Sequence, residues 1–380
     1  MRHPRSVAAW ALLACACEHD DAPRFKLDGL TVIQEFDEPI CAGTFPYFER
    51  RLRWLEQETG LPRDPQGLSY RWLFDRAALE AACSLSLGGC TKGRAIFGDL
   101  IVFSHELVHA HLSRLGRPRP WLIEGMATML EDERNDAPQP LFTPSVLVTL
   151  DDARDVDYDA AGAFTAYLRE RYGITLLLDY YEASADTDAK TSIDVFSDVF
   201  GDRFLDVETD YLDAGLPDMS GSLECDGPDV AWDGETWGHT FTLTCEDTGS
   251  IGPQRSEGDA GSYLWAKVTM TAPAGWTSLS LDASGPTWIS VLECEGTEAV
   301  FLATDEPQAD MYLAGGRYLV FANAFTADGP TARVTAQSLP GVPAAPKRGA
   351  PPGLLSRGMG QTWRCSGSDP RIGGGWADSS

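Results

Sequence analysis

The pattern of apolar and polar positions divides the chain into two parts with different periods. Before Leu216-Pro217, several long segments repeat apolar residues every three or four positions, which is the period of an amphipathic helix. From about 221 to 339, apolar and polar residues alternate in short runs separated by Gly, Pro, Asp and Ser. The two periods predict an α+β chain with a boundary near Leu216-Pro217.

The first part is predicted to contain short strands followed by helices, with Gly or Asp residues at the helix ends. In the first predicted helix, Phe48, Leu52 and Leu55 share the face expected to point inward, and Gly60 ends it. The predicted strands cover 30–36, 68–74 and 93–98, and the predicted helices cover 44–59, 76–82, 158–172, 174–182, 192–200 and 204–212.

The second part is predicted to be a β-sandwich, because its alternating runs are short, numerous and bounded by turn residues. A tight turn is expected at Ala314-Gly315-Gly316-Arg317, where the glycines can adopt positive φ. By this rhythm and this turn, 221–339 loosely resembles the pre-peptidase C-terminal class of β-sandwich. The resemblance implies a binding or spacer role.

One predicted helix carries the residues with the clearest chemistry, His105-Glu106-Leu107-Val108-His109. An α-helix turns by about 100° per residue, so residues four apart lie on the same face. His105 and His109 can therefore direct two imidazoles at one metal ion. Glu106 lies about 100° from His105 around the helix. It is better placed to accept a proton from a metal-bound water than to bind the metal itself.

A third ligand must come from another element. Pro120 suits the first turn of a following helix, which places Glu124 one turn into it, and Gly125 would allow close backbone approach. Three protein ligands and one water are typical of a catalytic zinc site, whereas structural zinc sites usually have four protein ligands. The sequence therefore predicts Zn²⁺ held by His105, His109 and Glu124.

Two further residues compete for roles at this site. His111 lies about 200° from His109 around the helix, so we expect it at the surface or outside the ligand set. Glu131 lies two turns after Glu124 and could contact the ligands, although a solvated position is the expectation. A metzincin pattern would require Gly at position 112 and His at position 115, where this chain has Leu112 and Leu115.

The motif together with Trp121-Leu122-Ile123-Glu124-Gly125-Met126-Ala127 resembles the gluzincin zinc metallopeptidases. The resemblance implies Glu124 as the third ligand and Glu106 as general base. It also implies an edge strand that binds substrate, for which 94–97 is the candidate, although a core strand is the expectation for this segment. Tyr158 opens a segment similar to the one after the zinc-binding Glu, which implies an oxyanion-donating role. Only 14 residues separate His109 from Glu124, fewer than in many members.

The N-terminus has the features of a targeting segment. Residues 1–14 combine Arg2 and Arg5 with a short apolar run, too short to span a membrane. Leu12-Leu13-Ala14-Cys15 resembles a bacterial lipobox, which implies a lipid on Cys15 and an outer-membrane or cell-surface location; an ordinary signal peptide is the alternative. Residues 16–27 are then expected to be a tether, 28–218 a catalytic domain, 221–339 the β-sandwich and 340–380 a disordered tail.

The composition agrees with export. The formal net charge is −27, and loss of Arg2 and Arg5 with the signal segment makes it −29. Such acidity argues against nucleic acid or an anionic membrane surface as a partner. In an oxidising compartment the cysteines are expected to form disulfides. Cys83 is expected to pair with Cys90, and the four C-terminal cysteines among themselves in one of three ways: Cys225, Cys245, Cys294 and Cys365.

Together these features predict a zinc-dependent peptidase at the cell surface that acts on peptides or proteins. The sequence does not distinguish endopeptidase from aminopeptidase action. The alternative is a surface adhesion or carbohydrate-binding lipoprotein whose metal site is vestigial. Both readings include zinc, so catalytic activity is the property that distinguishes them.

Overall fold

A computed structural model describes residues 22–83, 88–99, 104–131, 142–214, 225, 227–255, 262–294, 299–325 and 330–339. The predicted signal peptide, Cys15 and the predicted tail 340–380 lie outside the described residues. So does the predicted boundary between the catalytic domain and the β-sandwich. Both helices and sheets are present, as the two sequence periods predict.

The first part contains nine α-helices among its described residues, together with one small sheet. Its elements are β1 Arg24–Leu27, β2 Leu30–Glu35, α1 Thr44–Thr59, β3 Leu68–Leu73, α2 Arg76–Cys83, β4 Gly89–Lys92, β5 Ala95–Gly98, α3 Ser104–Leu112, α4 Pro120–Leu130, α5 Pro144–Leu147, α6 Tyr158–Tyr172, α7 Ile174–Ala183, α8 Ala189–Phe200 and α9 Phe204–Ala214. Phe48, Leu52 and Leu55 of α1 are buried, and Gly60 ends that helix at φ +68°.

The sheet of the first part has the order β1-β2-β3-β5-β4. Strands β2, β3 and β5 are parallel, while β1 and β4 are antiparallel to their neighbours. Strand β1 lies within the range expected to be a tether, and its alternation of exposed and half-buried residues lets it add to β2. The segment 94–97 corresponds to β5, which lies inside the sheet, so the expected core strand is confirmed and the edge-strand candidate is wrong. Strand β4 forms the edge next to it.

The second part is built from antiparallel strands, as its alternating pattern predicts. They are β6 Asp229–Val230, β7 Thr236–Thr242, β8 Ile251–Arg255, β9 Ser262–Ala272, β10 Gly275–Ala283, β11 Thr287–Glu293, β12 Ala299–Ala303, β13 Gln308–Leu313, β14 Gly316–Phe325 and β15 Thr331–Ser338, of which the short β6 alone pairs in parallel, with β9. One sheet has the order β13-β10-β15-β7, and the other contains β12-β11-β14-β9-β6 with β8 on β9. Both sheets contribute to one hydrophobic core, which is the packing of a β-sandwich.

The predicted tight turn leads into β14. Gly315 and Gly316 have φ values of +86° and +123°, conformations that residues with a side chain rarely adopt. The Ala314 backbone N–H donates to the Tyr318 hydroxyl at 2.9 Å, which closes the turn.

The two parts are joined by a disulfide and by packing. Cys41, just before α1, is bonded to Cys245, and the Tyr47 ring packs edge-on against Trp265 of β9 with ring centroids 4.7 Å apart. The expectation that Cys245 pairs within the C-terminal half is therefore wrong. Spacing along the chain could not reveal this partner, because 204 residues separate the two cysteines.

The other two described disulfides agree with the sequence. Cys83 is bonded to Cys90, and Cys225 is bonded to Cys294. Disulfides persist in oxidising compartments, so these bonds point to an environment outside the cytoplasm. Among the described residues, no helix has both the length and the apolar character needed to cross a bilayer.

Candidate metal centre

Helices α3 and α4 bring the predicted ligands together. Helix α3 continues into a short 3₁₀ turn, Ser113–Leu115, and Gly116 at φ +100° reverses the chain before Pro120 opens α4. A Cβ at Gly125 would lie 2.3 Å from Thr165 Oγ1 and 2.6 Å from the Ala161 carbonyl oxygen. Glycine at this position therefore lets α4 pack closely on α6, directly beside Glu124.

The two histidines converge on Glu124 as the spacing predicts. Glu124 Oε2 lies 3.0 Å from His105 Nε2 and 3.2 Å from His109 Nε2. The two imidazole rings are nearly perpendicular, with centroids 4.7 Å apart. His105 and Glu124 are buried, and 14% of the His109 side chain is exposed. One carboxylate oxygen thus faces two imidazole nitrogens in a largely dry site.

These positions fit a metal ion. The three ligand atoms all lie within 4.8 Å of one another. In a tetrahedral zinc site with ligand bonds of about 2.0–2.1 Å, neighbouring ligand atoms are about 3.3 Å apart. The two distances to Glu124 Oε2 are close to that value. This group could therefore hold a metal ion without rearrangement of the backbone.

Glu131 contacts the site, so the solvated position expected for it is wrong. Its Oε2 lies 2.9 Å from His105 Nδ1. Glu131 follows the last residue of α4 and has extended backbone angles, φ −72° and ψ 159°, so it leaves the helix axis. A carboxylate on Nδ1 holds the proton there and leaves Nε2 free to bind a metal, an arrangement common behind metal-bound histidines.

The electrostatics of the site favour a positive charge between the carboxylates. Burial alone would lower the pKa of His105, but hydrogen bonds to Glu124 and Glu131 outweigh it and raise the pKa to about 10. Burial would raise the pKa of Glu124, but hydrogen bonds from His105 and His109 lower it to about 2. In the metal-free protein, a proton on imidazole therefore supplies the positive charge that a bound cation would supply.

Glu106 is buried next to His105 in α3, and its backbone is hydrogen-bonded to strand β4. Its backbone carbonyl accepts a hydrogen bond of 2.9 Å from Thr91 Oγ1 of the edge strand β4. Its carboxylate is close enough to the Tyr158 phenol to raise the pKa of that group. Strand β4 is thus hydrogen-bonded to the backbone of the residue that is predicted to be the base.

The predicted Tyr158 also lies at the site. Its ring stacks on the His105 imidazole with centroids 5.5 Å apart and planes 10° apart. Although 39% of the residue is exposed, burial of the phenol raises its pKa, and Glu124 and Glu106 raise it further. The hydroxyl is therefore protonated near neutral pH and can donate a hydrogen bond.

A second tyrosine, Tyr181, lies near Glu124, and the sequence pattern does not predict it. Tyr181 of α7 is 3% exposed, and its pKa is raised by burial and by the charge of Glu124. Nothing in the sequence signals this position, because Tyr180 and Tyr181 read as ordinary apolar positions of an amphipathic helix. Tyr180 is indeed a packing residue, with its ring against Trp121 and Phe196.

His111 does not belong to the site, as its angle around the helix predicts, but it is buried rather than at the surface. Its Nε2 lies 3.0 Å from Thr59 Oγ1 of α1, and 4% of the residue is exposed. Burial, followed by the charge of Arg114, lowers the pKa of His111 to about 4. His111 is thus a neutral core residue that connects α3 to α1.

Comparison with known proteins gives no family assignment. No family model matches the chain, and no curated protein matches it. One solved structure with similarity is PliG of Salmonella Typhimurium, a periplasmic inhibitor of g-type lysozyme, with 15% identity over 29% of this chain and 97% of that chain and a TM-score of 0.18. Another is the carbohydrate-binding module CBM29-2, with 13% identity over 28% of this chain and 82% of that chain and a TM-score of 0.16. With TM-scores this low, neither similarity supports a conclusion about fold or function.

Proposed function

We propose that this chain is a zinc-dependent peptidase of the gluzincin type. In this proposal His105, His109 and Glu124 bind the metal and Glu106 is the general base. The observation that carries it is the convergence of both imidazoles on one Glu124 oxygen, with Glu131 behind His105. The donor set of two nitrogens and one carboxylate suits zinc and leaves a position for water.

The reaction would be divided among the metal and three side chains. When bound, zinc would polarise the scissile carbonyl and lower the pKa of a water molecule. Glu106 accepts a proton from the attacking water and delivers it to the leaving nitrogen. Tyr158 keeps its proton and donates a hydrogen bond to the oxygen that becomes negative during attack. Glu131 holds His105 in the tautomer that presents Nε2.

Substrate backbone would align along β4. This strand is the last in the order of its sheet, and Thr91 ties it to the carbonyl of Glu106. An extended peptide that pairs with an edge strand is held by main-chain hydrogen bonds, so its scissile bond can lie at a fixed distance from the metal helix. This pairing accounts for peptides as the substrate class.

We also propose that the protein acts outside the cytoplasm, anchored by a lipid on Cys15. The disulfides support the compartment, and the lipobox-like sequence supports the anchor. Cys15→Ser would then move the protein from the membrane fraction to the soluble fraction. Equal membrane association of both forms would contradict the anchor and leave the peptidase proposal untouched.

The decisive experiment compares wild type with Glu106→Gln on a broad peptide library, with zinc content measured in both. We expect about one zinc per chain in each and a loss of cleavage of about 10²–10⁴-fold in the variant, because proton transfer is removed. Glu170→Gln, an exposed position on α6, is the matched control and should cleave normally. Unchanged cleavage by Glu106→Gln would contradict the mechanism. If wild type binds zinc but cleaves no peptide, the adhesion or carbohydrate-binding hypothesis replaces the peptidase proposal.

A further inference from the structure

Arg51 of α1 is a fully buried cation whose main contact lies at the end of α4. The residue is 0% exposed, and Nη2 donates to the carbonyl oxygen of Leu130. The guanidinium lies over the Trp54 ring at 4.0 Å from its centroid. Nε and Nη1 are buried and have no hydrogen-bond partner. In the described part of the chain, its contacts are therefore a carbonyl and an indole ring.

Burying this charge lowers the stability of the folded state. A buried charge without a carboxylate partner loses its hydration and gains little in return, and each unsatisfied donor adds to the cost. Replacing buried charged groups by apolar residues of similar size is often neutral or stabilising. The stability of the fold therefore does not explain why position 51 is an arginine. The position of its one hydrogen bond suggests a role at the metal site instead.

The carbonyl that Arg51 contacts belongs to the residue directly before Glu131. Leu130 ends α4, and its carbonyl is among those that find no partner within the helix. A cation at a helix C-terminus satisfies such carbonyls and interacts favourably with the helix dipole. The chain then turns to extended geometry at Glu131, whose carboxylate lies 2.9 Å from His105 Nδ1.

We propose that Arg51 is a positioning residue for the metal centre, acting through Glu131. By fixing the last carbonyl of α4, it sets the point where the chain leaves the helix and thus the position of the carboxylate that orients His105. This inference rests on the metal site of the proposed function. It adds a residue from α1, which the motif on α3 and α4 gives no reason to include.

The test is a double-mutant cycle on zinc affinity, measured by competition with a chromogenic chelator. Glu131→Ala should weaken zinc binding by about 10–100-fold, as for other groups behind metal ligands. Arg51→Met should weaken it by about 10-fold, and Arg51→Met/Glu131→Ala should bind zinc no more weakly than Glu131→Ala alone, because the arginine acts only through that carboxylate. Arg51→Lys, which keeps a positive charge at this position, should have an affinity between wild type and Arg51→Met.

Leu52→Ala is the matched control, since it removes packing from the neighbouring position of α1 without altering the contact to Leu130. It should unfold more readily yet bind zinc like wild type. Cobalt substitution gives a second measurement, in which Arg51→Met and Glu131→Ala shift the visible absorption bands alike and Leu52→Ala does not. If Arg51→Met does not fold, Arg51→Gln completes the same cycle.

Two results would overturn the inference. One is a zinc affinity unchanged by loss of Arg51, and the other is a double variant weakened by the product of the two single effects. Both are distinct from failure of the proposed function, in which wild type itself binds no zinc.

Discussion

The two faces of α3 carry the same kind of residue in opposite chemical states. His105 on one face is buried between Glu124 and Glu131, and its pKa is raised to about 10. His111 on the other face is equally buried, but its partner is the Thr59 hydroxyl and its pKa is lowered to about 4. The two residues are six positions apart on one helix.

The difference shows that burial does not decide the charge of a histidine. Desolvation disfavours the charged form at both positions, and only the carboxylates around His105 reverse the outcome. A histidine surrounded by carboxylates attracts a cation, whereas one paired with a hydroxyl serves as a neutral core residue. Substitutions on both faces of α3 and in the elements around them test this contrast.

The largest effect should come from removing a ligand on the metal face. His109→Ala should weaken zinc binding by roughly a thousandfold, because the proposed site loses one of its three protein ligands. His111→Ala should leave zinc affinity unchanged. Titration with a competing chelator measures both, and equal losses in the two variants would remove the distinction between the faces.

The second effect concerns the two tyrosines near Glu124. Tyr158→Phe should lower kcat by about 10²–10³-fold, since one donor to a developing oxyanion is lost. Tyr181→Phe is the matched control, because that residue is also near Glu124 but only 3% exposed. Its kcat should stay close to that of wild type. If Tyr158→Phe instead weakens zinc binding and leaves kcat intact, the hydroxyl supports Glu124 and not the oxyanion.

The third effect is a pH dependence on the core face. The folded pKa of His111 is about 4, below the ordinary value of 6.5, so the unfolded chain binds the proton first as pH falls. The stability linked to neutral His111 is therefore present above about pH 6.5 and is lost as pH falls towards 4, by up to about 3 kcal/mol. Urea unfolding of metal-free wild type and His111→Gln should show a shallower pH dependence in the variant. If the free energy of unfolding depends on pH equally in both proteins, the pH dependence does not come from His111.

The smallest effect tests how closely α4 must approach α6. Gly125→Ala places a methyl group against Thr165 and the Ala161 carbonyl, so the helices must separate or distort. We expect a loss of about 1–3 kcal/mol in the free energy of unfolding, as for other overpacked sites, and weaker zinc binding because Glu124 is the adjacent residue. Wild-type stability in the urea unfolding of this variant would show that the contact is not tight.

The sequence predicted those parts of the site that lie within one regular element. Helical spacing alone placed His105 and His109 together, and Pro120 indicated the helix that carries Glu124. The contact of Glu131 with His105 could not be predicted, because Glu131 lies just past the end of α4, where the helical angle per residue no longer applies. The position of Tyr181 near Glu124 could not be predicted, because the packing of α7 beside α4 leaves no local pattern in the sequence.

The same limit explains the errors in the fold. Strands β1 and β4 have four residues each, which gives a weak periodic signal, and β4 includes Cys90 of the predicted disulfide loop. The edge-strand candidate at 94–97, which the family resemblance implied, fails because β4 pairs with β5 on its outer side. The Cys41–Cys245 bond links two parts whose packing no local pattern encodes.

The most direct test of the central claim is a crystal structure of the zinc-loaded protein with anomalous data collected at the zinc absorption edge. We expect one strong anomalous peak about 2.0–2.2 Å from His105 Nε2, His109 Nε2 and a Glu124 carboxylate oxygen, with Glu131 still hydrogen-bonded to His105 Nδ1. A zinc-replete crystal with no peak between these three side chains, or with the two imidazoles pointing apart, would contradict it.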